Sequence, residues 1–153
     1  MKILDLPNET ATAALAARIA MVALPGDVIG LSGPLGAGKT VFARAFIRAR
    51  GGTGEVPSPT FTLAQCYDLP GAAIWHFDCY RLRHAEEAWE LGIEDAFRDG
   101  ISLIEWPDRI AALLPSRRLD IVLSPGAASG RRRAELSTGA GWAARLAGIA
   151  ADV

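Results

Sequence analysis

The chain has 153 residues, of which 50% are hydrophobic and 22% charged. This size and composition predict one globular domain over residues 1–153 and exclude a disordered or collagen-like chain. Sixteen basic and seventeen acidic side chains leave a formal net charge of −1, so no overall positive field draws the protein onto nucleic acid. Any contact with RNA would have to be local or supplied by a partner protein.

The chain lacks the patterns typical of exported and membrane proteins. Cys66 and Cys79 form neither close doublets nor a secreted disulfide framework, which favours a reducing compartment. No apolar run approaches the roughly 20 residues that a membrane span needs. Asp5, Glu9 and Arg18 interrupt the segment where a signal peptide would be uncharged. We therefore expect a cytoplasmic protein without a membrane association.

The first part of the chain predicts a helix, a buried strand and a second helix. Asn8 is a suitable N-cap for a helix over residues 9–23. The run Val28–Ser32 is short, apolar and rich in branched side chains, which is typical of a strand buried on both faces of a sheet. Apolar residues then recur at helical spacing over residues 39–50, and Gly51-Gly52 ends that helix.

The remaining elements are mostly short strands. Residues 60–67 and 73–80 alternate like the two strands of a hairpin, with a turn over residues 68–71. The further predicted elements are, in chain order, a helix over 85–97, a buried strand over 101–105, a short helix over 107–114, strands over 119–123 and 134–137, and a weak helix within 139–153.

A glycine-rich segment joins the first strand to the second helix. Residues 33–40, Gly-Pro-Leu-Gly-Ala-Gly-Lys-Thr, match G-x-x-x-x-G-K-[ST] at every fixed position. The glycines let consecutive backbone N–H groups face a phosphate, and the helix that follows presents its positive end. Lys39 can reach β and γ phosphates, and the Thr40 hydroxyl suits Mg²⁺. The pattern predicts an α/β fold of the P-loop NTPase type, a three-layer sandwich with a mostly parallel central sheet and added antiparallel strands.

Further residues indicate which nucleotide is bound and which carboxylates could bind Mg²⁺. Asn8 is the only asparagine, so the Asn-Lys-x-Asp loop with which many P-loop proteins read guanine is absent, and ATP is favoured. P-loop enzymes place a carboxylate for Mg²⁺ at the end of a neighbouring buried strand. Glu105 ends the predicted strand 101–105, and Asp78 closes the more mixed segment 74–78 within the second hairpin strand. Either could instead be a solvated strand-end residue. His76 shares a strand face with Asp78, but a lone strand histidine is more often a packing residue, and the predicted site leaves it out.

The segment 57–62, Pro-Ser-Pro-Thr-Phe-Thr, is a second unusual loop. Its prolines stiffen a backbone whose hydroxyls, those of Ser58 and Thr60, could face a γ-phosphate or its Mg²⁺ as a switch loop does. A rigid turn before an edge strand is the alternative.

Five blocks in series carry a family resemblance: residues 33–40, 58–63, 76–82, 92–97 and 105–107. Together they resemble the TsaE family of small bacterial P-loop ATPases, which are needed for threonylcarbamoyl modification of tRNA adenosine. The Walker A block is common to many families, whereas S-P-T-F, H-F-D-x-Y-R-L and E-W-P in this order are specific to this one.

The resemblance implies a complete set of site residues. Catalysis would depend on Lys39, Asp78 and Glu105, and Mg²⁺ would be held by Thr40 and Glu105, with Asp78 bound directly or through water. Thr60 would lie in a mobile loop that senses the phosphates. The implied nucleotide contacts are Thr12, Gly33, Leu35, Gly36, Ala37, Gly38, Lys39, Thr40, Val41, Trp106 and Arg133. For Trp106 a core aromatic role is the alternative, and residues 131–133 also have the composition of a solvated charge run.

The resemblance further implies that the protein does not modify tRNA itself. TsaE-like proteins act with a TsaD–TsaB complex that transfers the threonylcarbamoyl group, so contact with tRNA would be indirect. The expected reaction is in-line attack of water on the γ-phosphate of ATP. No arginine finger can be identified, which predicts slow turnover without a partner. The alternatives are a small-molecule kinase that uses the same loop and a nucleotide-gated binding module that barely hydrolyses.

Overall fold

The computed structural model describes residues 1–59 and 62–149. Thr60, Phe61 and residues 150–153 lie outside the described residues. The strands in the described ranges are β1 (Lys2–Leu6), β2 (Val28–Ser32), β3 (Ala64–Tyr67), β4 (Ile74–Asp78), β5 (Ile101–Glu105), β6 (Leu119–Pro125) and β7 (Arg132–Thr138). The helices are α1 (Glu9–Val22), α2 (Lys39–Ala49), α3 (Glu87–Glu90), α4 (Ile93–Asp99), a 3-10 helix (Pro107–Leu113) and α5 (Trp142–Arg145).

All of these strands join one mixed sheet, in the order β1-β7-β6-β2-β5-β4-β3. The four central strands, β6, β2, β5 and β4, run parallel to one another. Strand β3 is added antiparallel at one edge, and β7 and β1 are added antiparallel at the other. This confirms the predicted α/β sandwich with a parallel centre and antiparallel additions.

Helices cover both faces of the sheet, and each face has its own apolar cluster. On one face α1 and α2 bury Leu15, Ile19, Phe42 and Phe46 against the strands, together with Trp142 of α5. On the other face the short helices α3 and α4 and the 3-10 helix bury residues such as Ile93 against β2, β4 and β5. Strands β2 and β5 are therefore covered on both sides, as their continuous apolar sequences predict.

Several predicted elements are confirmed closely. The Asn8 side chain accepts a hydrogen bond from the backbone N–H of Ala11 at 2.9 Å and caps α1. Helix α2 ends one residue before the predicted 39–50 range, and β2 and β5 have the predicted bounds. The predicted hairpin is present as β3 and β4, with Tyr67 opposite Ile74, but β3 begins only at Ala64 and β4 is shorter than the predicted range 73–80. Cys66 and Cys79 are both free thiols.

The prediction of one helix over residues 85–97 is wrong. The chain forms α3 and α4 instead, and between them Gly92 adopts a left-handed conformation with φ +86°. A Cβ at Gly92 would lie 3.0 Å from the Trp75 ring, so glycine also lets the backbone pass close to this side chain. Periodicity alone does not detect this break, because glycine is tolerated in a helix at modest cost.

Strand β1 is not among the elements expected from the sequence. It pairs with β7, and its side chains alternate, with Leu4 and Leu6 buried and Ile3 and Asp5 exposed. This alternation is the period-2 signal of a half-buried strand. The predicted weak terminal helix is reduced to the four residues of α5 within the described part of the chain.

Candidate active site

The carboxyl ends of three parallel strands meet at one edge of the sheet. Leu31 of β2 is in register with Glu105 of β5, which is in register with Asp78 of β4. The loop 33–38 leaves β2 at this edge and leads into α2. A cavity of about 280 Å³ lies there, in the crevice where ligands bind open α/β sheets.

Most of the predicted site residues line this cavity. They are Thr12, Leu35, Gly36, Gly38, Lys39, Thr40, Val41, Ser58, Asp78, Glu105 and Trp106. Gly33 and Ala37 belong to the same loop but are not among the lining residues, and Arg133 lies elsewhere. The prediction for Thr60 falls outside the described residues. Glu9, Gly130 and Arg132 line the cavity without having been predicted.

The glycine loop has a backbone that only glycines adopt readily. Gly33, Gly36 and Gly38 have φ values of +138°, +79° and +107°, in the region that L side chains disfavour. A Cβ at Gly33 would overlap the carbonyl oxygen of Leu123 on β6. Gly38 is the N-cap residue of α2 and supplies no side chain there. The first-turn N–H groups of α2 therefore face the cavity as an anion-binding end.

Lys39 begins α2 and is almost fully buried, with 5% of its surface exposed. Its Nζ donates to the carbonyl oxygens of Gly33 at 2.5 Å and Pro34 at 3.0 Å, and it lies 4.4 Å from the centroid of the Trp106 ring. Burial lowers the pKa of Lys39 from its ordinary value, and the carboxylates of Glu105 and Asp78 oppose this shift. The ammonium is thus held inside the loop, beside two acids.

Two buried carboxylates also line the cavity. Glu105 and Asp78 are 4% and 7% exposed. The Thr40 hydroxyl donates to Glu105 Oε1 at the long distance of 3.5 Å, and Asp78 Oδ1 accepts from the backbone N–H of Tyr80 at 3.1 Å. The predicted alternative of solvated strand-end residues does not apply to either acid, because both are withdrawn from water.

These oxygen atoms are the kind that Mg²⁺ prefers. Within residues 1–59 and 62–149, no group of three or more His, Cys, Asp or Glu side chains is placed to hold a metal ion by itself. P-loop proteins hold Mg²⁺ with a hydroxyl, a carboxylate and phosphate oxygens of the ligand. The oxygen atoms of Thr40, Glu105 and Asp78 have the chemistry required of the protein part of such a set.

Trp106 follows β5 and forms part of the cavity wall. Its backbone is left-handed, with φ +59°, which turns the chain sharply at the sheet edge. The indole lies 4.8 Å from the Tyr80 ring, centroid to centroid, and is half-buried against the apolar cluster of α3 and α4. Both roles considered for Trp106 are therefore compatible with its position.

The chain matches the sequence profile described as "Threonylcarbamoyl adenosine biosynthesis protein TsaE" over residues 6–134. The chain belongs to the TsaE family. Proteins named "tRNA threonylcarbamoyladenosine biosynthesis protein TsaE" are similar to it: that of Rickettsia felis is 41% identical over 79% of this chain and 71% of its own length. That of Bacillus subtilis is also 41% identical, over 76% of this chain and 73% of its own length.

A solved structure agrees with the sequence relatives. The crystal structure of Bacillus subtilis YdiB superposes with a TM-score of 0.80 at 32% identity, covering 98% of this chain and 93% of that one. The family takes part in biosynthesis of threonylcarbamoyladenosine in tRNA. No helix in the described part of this TsaE-family chain is long and apolar enough to cross a membrane.

His76 is a residue of the site that the sequence analysis left out. Its Nε2 lies 2.6 Å from Glu105 Oε2, and the side chain is fully buried. Residues 76 and 78 share a face of β4, and the register of β4 with β5 brings Glu105 onto that face. The period-2 spacing to Asp78 was the available signal. Sequence does not show which residue of β5 lies within reach.

The structure places Arg132, and not the predicted Arg133, at the cavity. Arg132 Nη2 donates to the Gly36 carbonyl at 3.0 Å, and Arg132 lines the cavity. Arg133 instead pairs with Glu135 at 3.1 Å. Side chains alternate along β7, and Ala134 is buried on the face that carries α1 and α2. Arg132 shares that face with Ala134, whereas Arg133 points to the other.

Proposed function

We propose that this TsaE-family protein hydrolyses ATP with Mg²⁺ in the cavity at the carboxyl edge of the sheet. The hydrolysis would serve a TsaD–TsaB complex that transfers the threonylcarbamoyl group to tRNA adenosine, with tRNA contacted only indirectly. We place this activity in the cytoplasm. The observation that carries the proposal is the convergence of Lys39, Thr40, Glu105 and Asp78 on one cavity, reached by the loop 33–38.

The charges of the cavity support a triphosphate with a divalent cation. Two buried carboxylates oppose one buried ammonium, and burying charge without a partner is costly. A divalent cation offsets the two acids, and the phosphates in turn face Lys39 and the N-terminus of α2. The oxygen ligands present, a hydroxyl and two carboxylates, fit Mg²⁺ better than a softer metal.

The protein groups have distinct parts in the proposed reaction. Backbone N–H groups of residues 35–40 and the Lys39 ammonium stabilise negative charge that develops on the γ-phosphoryl oxygens. Thr40 and Glu105 would hold Mg²⁺, which would supply positive charge to neutralise the phosphates. Asp78 orients the attacking water and accepts its proton directly or through a second water. Burial of these groups excludes bulk water that would screen them.

Slow turnover without a partner is part of the proposal. In the described residues that line the cavity, the cationic side chains are Lys39 and Arg132. The Arg132 guanidinium donates to the carbonyl oxygens of Gly36 and of Arg131. These hydrogen bonds connect the loop 33–38 to the β6–β7 connection. A partner would complete the stabilisation of the transition state.

Phosphate release with and without purified TsaD and TsaB homologues tests this proposal. We expect slow release from ATP and Mg²⁺ alone and a clear rise when the pair is added. Calorimetry at millimolar ATP and Mg²⁺ should detect binding. A folded protein that shows no heat would contradict the proposal, and stoichiometric phosphorylation of a small metabolite would favour the kinase.

Substitutions of the two acids separate the ATPase from a nucleotide-gated binding module. Asp78→Ala and Glu105→Ala should abolish threonylcarbamoyl modification in cells while the variants remain folded. If both variants supported modification as the wild type does, hydrolysis would be dispensable and the binding module would replace the ATPase.

A further inference from the structure

His76 lies in the middle of β4 with none of its surface exposed, and its imidazole contacts the Glu105 carboxylate. We propose that His76 is a positioning residue, which fixes the orientation of Glu105 as the carboxylate ligand of the cation in the cavity. This inference rests on the proposed function, because it gives Glu105 its role there.

The two oxygens of Glu105 have different neighbours. Oε2 lies 2.6 Å from His76 Nε2, whereas Oε1 lies 3.5 Å from the Thr40 hydroxyl. A carboxylate on a flexible side chain can rotate about its last bond, and the short contact to Oε2 removes that freedom. Oε1 is then directed at Thr40, the other proposed ligand of the cation. Outer groups that orient a metal-binding side chain in this way are common at metal sites.

A carboxylate oxygen accepts hydrogen bonds, so we assign the hydrogen of this contact to Nε2 of His76, which donates to Glu105. The other ring nitrogen, Nδ1, is buried and has no hydrogen-bond partner in the described part of the chain. A buried polar atom without a partner is unfavourable. An apolar side chain would avoid this cost, so packing alone does not account for a histidine here.

Substitution of His76 by glutamine or asparagine gives a pair of variants that retain or lose the contact with Glu105. Glutamine can place its side-chain nitrogen close to the position of the histidine Nε2, and asparagine places its nitrogen close to that of Nδ1, short of Glu105. We expect His76→Gln to retain the contact and His76→Asn and His76→Leu to lose it. Ser102→Ala is the control, because the buried Ser102 lies on the opposite face of β5 from Glu105.

The measured quantity is the affinity for Mn²⁺, used as a substitute for Mg²⁺, in the presence of a non-hydrolysable ATP analogue. Electron paramagnetic resonance measures the concentration of free Mn²⁺, and so the Mn²⁺ affinity, without any ATP turnover. We expect His76→Leu and His76→Asn to weaken Mn²⁺ binding by about tenfold or more, and His76→Gln and Ser102→Ala to stay within about threefold of the wild type. Thermal unfolding of each variant shows whether it is folded at the temperature used.

A double-mutant cycle shows whether His76 acts through Glu105. In the Glu105→Gln background, His76→Leu should change the Mn²⁺ affinity by less than about twofold. Three results would each overturn the inference and leave the ATPase proposal intact. The first is wild-type Mn²⁺ affinity in folded His76→Leu, and the second is a loss of affinity in His76→Gln as large as that in His76→Leu. The third is a full effect of His76→Leu on Mn²⁺ affinity in the Glu105→Gln background. A wild-type protein that binds neither analogue nor Mn²⁺ would overturn both.

Discussion

Charged side chains are buried in one region of the sheet and exposed to solvent in another. At the carboxyl edge of β2, β5 and β4, Lys39, Asp78 and Glu105 are almost completely buried. In the antiparallel addition of β1 and β7, two ion pairs lie near solvent, Arg131 with Asp5 and Arg133 with Glu135. Exposed pairs contribute little to stability because water and salt screen them. Buried charges interact strongly and cost folding free energy, which supports the proposed ligand-binding role of these three residues.

Strand direction explains the difference. Parallel strands end at the same edge, so the residues that follow β2, β4 and β5 converge. Antiparallel neighbours end at opposite edges, and their polar residues are spread along both. The antiparallel region contributes Gly130 and Arg132 to the cavity lining, and Arg132 reaches the Gly36 carbonyl.

The largest effect is expected at the buried ammonium. Lys39→Ala should lower ATP hydrolysis in the presence of the partner complex by about 100- to 1,000-fold, because it removes a donor directed at the developing charge. Phosphate release at saturating ATP measures this. The chain has one other lysine, Lys2 in β1, whose Nζ donates to the Leu146 carbonyl at 2.9 Å. Lys2→Ala is the matched control and should leave hydrolysis unchanged. Equal losses of ATP hydrolysis in both variants would contradict the contrast between the cavity and the β1–β7 part of the sheet.

Two glycines of the loop allow the next comparison. Gly33→Ala combines a disfavoured φ of +138° with an overlap against the Leu123 carbonyl, and we expect it to lower the free energy of unfolding by about 3 kcal/mol. Gly36 has φ +79°, but a Cβ at this position would have no atom within 4 Å, so Gly36→Ala should cost only about 1 kcal/mol. Urea unfolding measures both values. Equal costs would mean that the contact with β6 does not constrain the loop.

The sequence predicts the local part of this site well. The glycine loop, α2 and the acids at the ends of β4 and β5 depend on neighbouring residues and on the edge at which parallel strands end. His76 and Arg132 depend on contacts with residues 29 and 96 positions away, and strand register is not readable from one sequence. The close approach of Gly92 to Trp75 likewise involves a residue of another element.

A smaller effect is expected where the antiparallel region meets the cavity. Arg132→Ala removes a charged donor from the Gly36 carbonyl and from the cavity wall, and should weaken ATP binding by about tenfold. Arg133→Ala should stay within about twofold, because Arg133 lies on the opposite face of β7 beside Glu135. Calorimetry with ATP and Mg²⁺ measures both. The reverse order of effects would restore the sequence-based expectation for Arg133 and contradict the register of β7.

The smallest effect is expected for the exposed pair between β1 and β7. Asp5 and Arg131 lie 2.6 Å apart, with 68% and 41% of their side chains exposed. A double-mutant cycle of Asp5→Asn and Arg131→Gln, followed by urea unfolding, should give a coupling free energy below about 0.5 kcal/mol at physiological salt. The main-chain ladder of β1 with β7 and the buried Leu4 and Leu6 hold this strand without the pair. A coupling above about 1.5 kcal/mol would show that this region also depends on its charges, and the contrast with the cavity would then rest on burial alone.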